Sequence, residues 1–170
     1  MLKPQSVTIA IINPKSPANI GAVMRAAGCY QVERVIYSGN RYDRAMKLNT
    51  DTKDIRHKIP LNRVACLLAA IPEETRVVCV ELAEGATPLP EYQHSDNSCY
   101  IFGPEDGTID QAIIDRADAV VYVPTTGCMN LAASVNVLLY DRLAKSADAV
   151  VGDALIRSSR DTNNRVKVVR

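Results

Sequence analysis

Four side chains stand out for the chemistry they could share: Asn19, Arg25, Glu105 and Asn130. An arginine, a carboxylate and two carboxamides can position a phosphate and a hydroxyl through directed hydrogen bonds. Arginine suits phosphate because its planar fork reaches two oxygens at once. Covalent catalysis has little to work with, since no histidine or cysteine pair stands ready as a nucleophile. The five cysteines (Cys29, Cys66, Cys79, Cys99, Cys128) are odd in number and scattered, and the two histidines are His57 and His94. Without a C-x-x-C pair, neither a zinc site nor a disulfide framework is expected. His57 and His94 read as exposed side chains without a structural task, and Cys128 as an inert small residue. Neither G-x-G-x-x-G nor G-x-x-x-x-G-K-[ST] occurs, so the ordinary dinucleotide and P-loop readings lack their phosphate-binding glycines.

The elements that must bring these residues together alternate between strand and helix. The stretch Tyr122-Val123-Pro124-Thr125-Thr126-Gly127-Cys128-Met129-Asn130-Leu131 reads as strand, tight loop, then helix. Ala119–Val123 is a short β-branched run of the kind buried parallel strands show. Leu131, Val135, Leu138, Leu139 and Leu143 then recur at helical spacing. Val7–Ile12 is a strand, Asn13–Pro17 breaks it, and a helix runs from about Asn19 to Cys29. Asn19 could serve as its N-cap. Arg34–Ser38 closes a βαβ unit. Further strands are expected at Thr75–Val80 and Cys99–Phe102. Helices are expected at Asp43–Lys47, at Leu61–Ile71 and, capped by Thr108 or Asp110, through Arg116. Glu81–Asp96 reads as loop. Such alternation predicts a parallel α/β sheet covered on both faces. The loops Asn13–Arg25, Phe102–Gly107 and Pro124–Asn130 then leave strands at one edge, where open α/β sheets hold ligands. Asn19, Arg25, Glu105 and Asn130 are expected to face a common crevice there.

Composition narrows the setting. At 170 residues, with 47% apolar and 23% charged residues, the chain fits one globular domain. A net charge of +1 gives no global basic field, so any nucleic-acid contact must come from local patches. Basic residues gather at Arg41–Lys58 and in the tail Arg157–Arg170. No apolar run approaches a membrane span, the start has no long apolar leader, and reduced thiols fit a cytoplasm.

Three ordered motifs carry a resemblance. Asn19-Ile20-Gly21-Ala22-Val23-Met24-Arg25, Phe102-Gly103-Pro104-Glu105, and Val123-Pro124 with Cys128-Met129-Asn130-Leu131 resemble N-x-G-x-x-x-R, F-G-x-E and I-P…S-[LM]-N-[LV] of the SPOUT-class RNA 2′-O-methyltransferases, SpoU (TrmH) branch. The resemblance implies a parallel-sheet SPOUT fold with a C-terminal trefoil knot over residues 1–150, followed by a basic tail over 151–170. It implies S-adenosylmethionine held by the loops at Glu81–Gly85, Gly103–Glu105 and Val123–Leu131, with Glu81, Leu82, Gly103, Val123, Cys128, Met129 and Leu131 as contacts. It implies a homodimer in which the partner's cofactor loops complete the site at Arg25, and methyl transfer to an RNA ribose, transfer RNA being favoured over ribosomal RNA. The ribose hydroxyl must then lie roughly 3 Å from the methyl carbon, in line with its bond to sulfur. A guanidinium does not readily give up its proton, so Arg25 reads as a clamp on phosphate and attacking oxygen. Asn19 would orient Arg25 or the ribose, Glu105 the arginine or the loop, and Asn130 would cap the last helix. Two departures stand against the pattern: Cys128 replaces the usual serine, and Gly107 falls one place early after Glu105. Ser134-Val135-Asn136 is a decoy S-x-N inside the helix. The alternatives are a knotted RNA- or cofactor-binding module that has lost catalysis, a ribosomal RNA methyltransferase, and a doubly wound nucleotide-binding enzyme.

Overall fold

The computed structural model describes residues 6–47 and 59–169. His57 and most of the basic 41–58 stretch lie outside them. Seven strands form the sheet: Val7–Ile11 (β1), Arg34–Tyr37 (β2), Leu61–Arg63 (β3), Arg76–Val80 (β4), Thr87–Pro88 (β5), Ser98–Phe102 (β6) and Ala119–Tyr122 (β7). Their spatial order is β3-β2-β1-β6-β4-β7-β5, and every pairing is parallel. The chain builds outward from β1 to β3, then returns to fill the other half. Ile11 pairs with both Tyr37 and Phe102, and Val80 with both Phe102 and Val121. The strands therefore end level, and the loops that leave them share one edge.

Side-chain alternation divides the core in two, because neighbouring strand residues point to opposite faces. On one face Ile9, Ile11, Tyr100 and Phe102 pack under Pro17–Cys29 (α1) and Leu131–Ala144 (α4), through Ile20, Val23, Val135 and Leu138. On the other, Ala10, Ile36, Cys99 and Ile101 meet Leu67 and Ile109. Short helices complete the chain at Arg41–Lys47 (α2), Gln111–Ile114 (α3) and Asp153–Ser159 (α5).

Several local expectations are corrected. The segment expected as a helix over Leu61–Ile71 starts as strand β3, because Leu61, Asn62 and Arg63 pair with the edge of β2. A 3-10 turn at Leu68–Ala70 follows, and Leu67 tucks under the second face. The apolar spacing that resembled a helix serves that burial instead. The supposed loop after Val80 contains β5 and a 3-10 turn at Leu89–Glu91. Helix α1 starts at Pro17, with Ser16 as N-cap accepting the Asn19 N–H at 3.2 Å. Proline favours the first helical position, and the Asn19 side chain is released from capping. Helix α3 is only four residues long, and the Asp110 side chain makes no capping bond. The tail carries α5, so α4 is not the last helix. His94 is neither exposed nor idle. Its side chain is 5% exposed, between the Tyr100 hydroxyl at 2.6 Å and Asp141 at 2.9 Å. Among the described residues, no helix is long and apolar enough to cross a membrane.

Candidate active site

The loops that leave β4, β6 and β7, with Asn19 of α1, line a cavity of about 270 Å³. Glu81, Leu82, Gly103, Val123, Cys128, Met129 and Leu131 all line it, as do Asn19, Glu105 and Asn130. One line of hydrogen bonds joins three distant segments at this rim. The Asn130 side-chain oxygen accepts the N–H groups of Ala132 and Ala133 at 2.9 and 3.3 Å, capping α4. Its Nδ2 donates to Asn19 Oδ1 at 3.0 Å. Asn19 Nδ2 in turn donates to Glu105 Oε1 at 3.3 Å. Each carboxamide thus accepts on one side and donates on the other, which the two asparagines can do and a carboxylate cannot.

Glu105 closes the line. Its carboxylate also accepts the backbone N–H groups of Lys15, at 3.0 Å, and Ser16, at 3.1 Å. Burial pushes its pKa up, but the N–H donors of its own residue, Ser16 and Lys15, with Asn19, outweigh that and hold it below the usual value of 4.5. The charge therefore persists at neutral pH and pins the β1–α1 loop. Glu81 braces the opposite wall, accepting the Ile109 N–H at 3.0 Å. Among the described residues no cluster of histidine, cysteine and carboxylate side chains could hold a metal ion.

Arg25 does not share this crevice. It is exposed on α1 and is not among the cavity-lining residues. Six positions along an α-helix turn a side chain about 240° from its starting direction, so Asn19 and Arg25 leave α1 on different faces. Cys128 is exposed at the rim, in a loop that Thr125 Oγ1 closes on the Gly127 carbonyl at 2.7 Å. Ser134, set aside as part of a decoy, also lines the cavity, while its hydroxyl bonds the Asn130 carbonyl at 3.1 Å. Its position one turn into α4 is the signal that could have placed it. Asn136 instead bonds its own helix, at the Ala132 carbonyl.

The model of the SpoU rRNA Methylase family matches residues 6–140. Among curated proteins, the 23S rRNA (guanosine-2'-O-)-methyltransferase RlmB of Acinetobacter baylyi is 26% identical over 146 residues, covering 81% of this chain and 59% of the relative. The chain thus spans a little over half the length of that relative. A solved structure described as giving structural insights into the 2-OH methylation of C/U34 on tRNA superimposes with TM-score 0.70 at 22% identity, covering 84% of this chain and 92% of that one. An AdoMet-bound rRNA methyltransferase from Sinorhizobium meliloti gives TM-score 0.68 at 19% identity, covering 84% of this chain and 57% of that one. The shared architecture is the parallel α/β fold of the SPOUT methyltransferases. Because the match over residues 6–140 takes in every strand of the sheet and the loops around the cavity, the chain belongs to the SpoU rRNA Methylase family.

Proposed function

We propose that this chain is an S-adenosylmethionine-dependent RNA ribose 2′-O-methyltransferase, acting in the cytoplasm as a homodimer on transfer RNA. The observation that carries the reading is the hydrogen-bonded line Asn130–Asn19–Glu105, which ties three motif segments together at one cavity. Family membership and an AdoMet-bound neighbour support the donor. The near full-length match to the structure concerned with tRNA C/U34 supports the substrate.

The cavity fits the donor. Leu82 keeps 53% of its surface exposed at the wall, an apolar side chain with room for a flat ring against it. Val123, Met129 and Leu131 line the same space. Gly103 sits in the same wall, packed closely against Glu81 and Ile109. When bound, the donor supplies an electrophilic methyl group on a sulfonium. The chain's own part is to hold and orient. Asn130 fixes the loop at the start of α4, and Asn19 transmits that position to Glu105. Arg25 clamps the substrate phosphate and the attacking oxygen across a dimer interface. Its exposure outside its own cavity supports a site completed by a second copy, as do the exposed Val137, Tyr140 and Leu143 on α4. A trefoil knot over the C-terminal part of the domain, 1–150, belongs to this reading, supported by the SPOUT neighbours. Residues 151–170 form a separate basic tail.

Methyl transfer from labelled S-adenosylmethionine to bulk transfer RNA and to ribosomal RNA tests the proposal. Label in transfer RNA ribose is expected, and Arg25→Ala should abolish it while cofactor affinity stays within a few-fold. Label in ribosomal RNA alone would reassign the substrate. Cofactor binding without transfer to any RNA would favour the non-catalytic module, which the Cys128 and Gly107 departures would then explain.

A further inference from the structure

Beside the cavity, on the outer side of Glu105, two cations converge on one carboxylate. Arg41 Nη1 donates to both oxygens of Asp106, at 2.9 and 3.0 Å. Lys15 Nζ approaches the same carboxylate at 3.2 Å. The guanidinium is aimed by the backbone. Its Nε and Nη2 donate to the Asn13 carbonyl at 3.0 and 2.6 Å. Asn13 is itself fixed in a left-handed conformation, φ 41°, against Gly39, where a side chain would collide with it. So one edge of the Arg41 fork is anchored, and the remaining nitrogen is presented outward with Lys15.

Asp106 is the movable member. Its side chain is 48% exposed and that of Lys15 is 52% exposed, whereas that of Arg41 is 29% exposed. Ion pairs between exposed groups contribute little net stability, so another anion can take the carboxylate's place at small cost. Its neighbours Glu105 and Gly107 both line the cavity.

We propose that Lys15 and Arg41 form a binding site for a phosphodiester group of the RNA substrate at the cavity rim, occupied in the free protein by the Asp106 carboxylate as an internal competitor. The proposal rests on the methyltransferase reading above for its ligand, and it assigns a role to the α2 end of the basic stretch. Arginine and lysine together favour phosphate, the one through its fork and the other as a point charge. A phosphate held there would lay the strand beside Glu105 and Asn19, with its ribose toward the cavity.

Opposite signs test it. RNA affinity is read by fluorescence anisotropy on bulk transfer RNA and on ribosomal RNA, without cofactor, and S-adenosylmethionine affinity separately by calorimetry. Asp106→Asn removes the competitor and should tighten RNA binding several-fold. Arg41→Ala and Lys15→Ala should each weaken it by about tenfold and flatten the dependence of log affinity on log salt by about one unit. Cofactor affinity should not change in any of them. Lys15→Ala removes an exposed side chain, so it keeps the test valid if Arg41→Ala fails to fold. Weaker RNA binding in Asp106→Asn would overturn the site and leave the three residues as a brace between loops. So would unchanged binding in Lys15→Ala and Arg41→Ala, or a loss confined to the cofactor. Wild-type protein that binds RNA but transfers no methyl group would remove the methyltransferase reading, while the ranking of the variants would still judge the phosphate site.

Discussion

Helix α4 takes part in two polar networks, one at each end, and they are built on opposite plans. At its N-terminus the line Asn130–Asn19–Glu105 runs along a cavity wall, with Asn130 exposed. Toward its C-terminus a second network closes on itself. Arg142 donates to the carbonyls of Ser95 and Asp96 and to the Tyr100 hydroxyl. His94 bridges Tyr100 and Asp141, and Lys145 joins Asp141 to the carbonyls of Leu89 and Tyr92. The second network buries its charge and fastens the helix to the segment before β6. The first leaves charge and carboxamides where a ligand can meet them. The same helix is thus bolted at one end and offered at the other.

Breaking each network should therefore show up in different measurements. The largest loss of stability is expected for Arg142→Ala, about 3 kcal/mol, since it strands the Ser95 and Asp96 carbonyls and the buried Tyr100 hydroxyl. Denaturant unfolding would read it, and cofactor affinity of the folded fraction should hold; equal loss of both would erase the distinction. Next comes Asn130→Ala, which removes a helix cap worth about 1 kcal/mol. That variant should also weaken cofactor binding about tenfold, because the cap sits in the loop that lines the cavity. Asn19→Ala should cost less than about 1 kcal/mol yet lower turnover more than tenfold, since its two bonds align groups rather than bury them.

Two smaller effects depend on pH. Burial holds the His94 imidazole below its ordinary value of 6.5, with Arg142 and Lys145 lowering it further, against the raising pull of Asp141. The unfolded chain then binds a proton that the folded chain refuses. Stability from neutral His94 is complete above about pH 6.5 and is lost as pH falls through the folded value. His94→Gln should flatten that slope in a series of denaturation midpoints. Glu105 contributes in a lower window. Its depressed pKa gives stability that is present above the usual 4.5 and lost as pH falls through the folded value. Glu105→Gln should remove that acid-side slope and carry its loss of stability unchanged up to neutral pH, and a slope that survived the substitution would contradict the assignment.

How much of this was legible depends on where the signal lay. The parallel sheet follows from β-branched runs separated by helical spacing, and the rim from the positions at which those runs stop. Asn19, Glu105 and Asn130 could be grouped because three short patterns kept their order. The face of α1 that Arg25 occupies could not be grouped with them, since rotation about the helix axis separates it from Asn19. The segment Val64, Leu67, Leu68, Ile71 has helix-like spacing, but the open edge of β2 captured the residues just before it, a tertiary effect that local pattern does not carry. His94 was misjudged because the polar stretch around it hides that α4 folds back over it. The Arg41–Asp106 contact joins the start of α2 to the loop after β6, an approach that only the sheet order decides.

The pairing of β1 with β6 sets a schedule for the nascent chain. Val7 is made well before Ser98, its partner on one side, whereas Thr8 meets Arg34 on the other flank much sooner. At ~5–20 residues per second of synthesis, that second neighbour arrives on the order of 5–20 s later. During the interval β1 shows a bare edge of unpaired amides beside Ile9 and Ile11, an invitation to strand-to-strand aggregation.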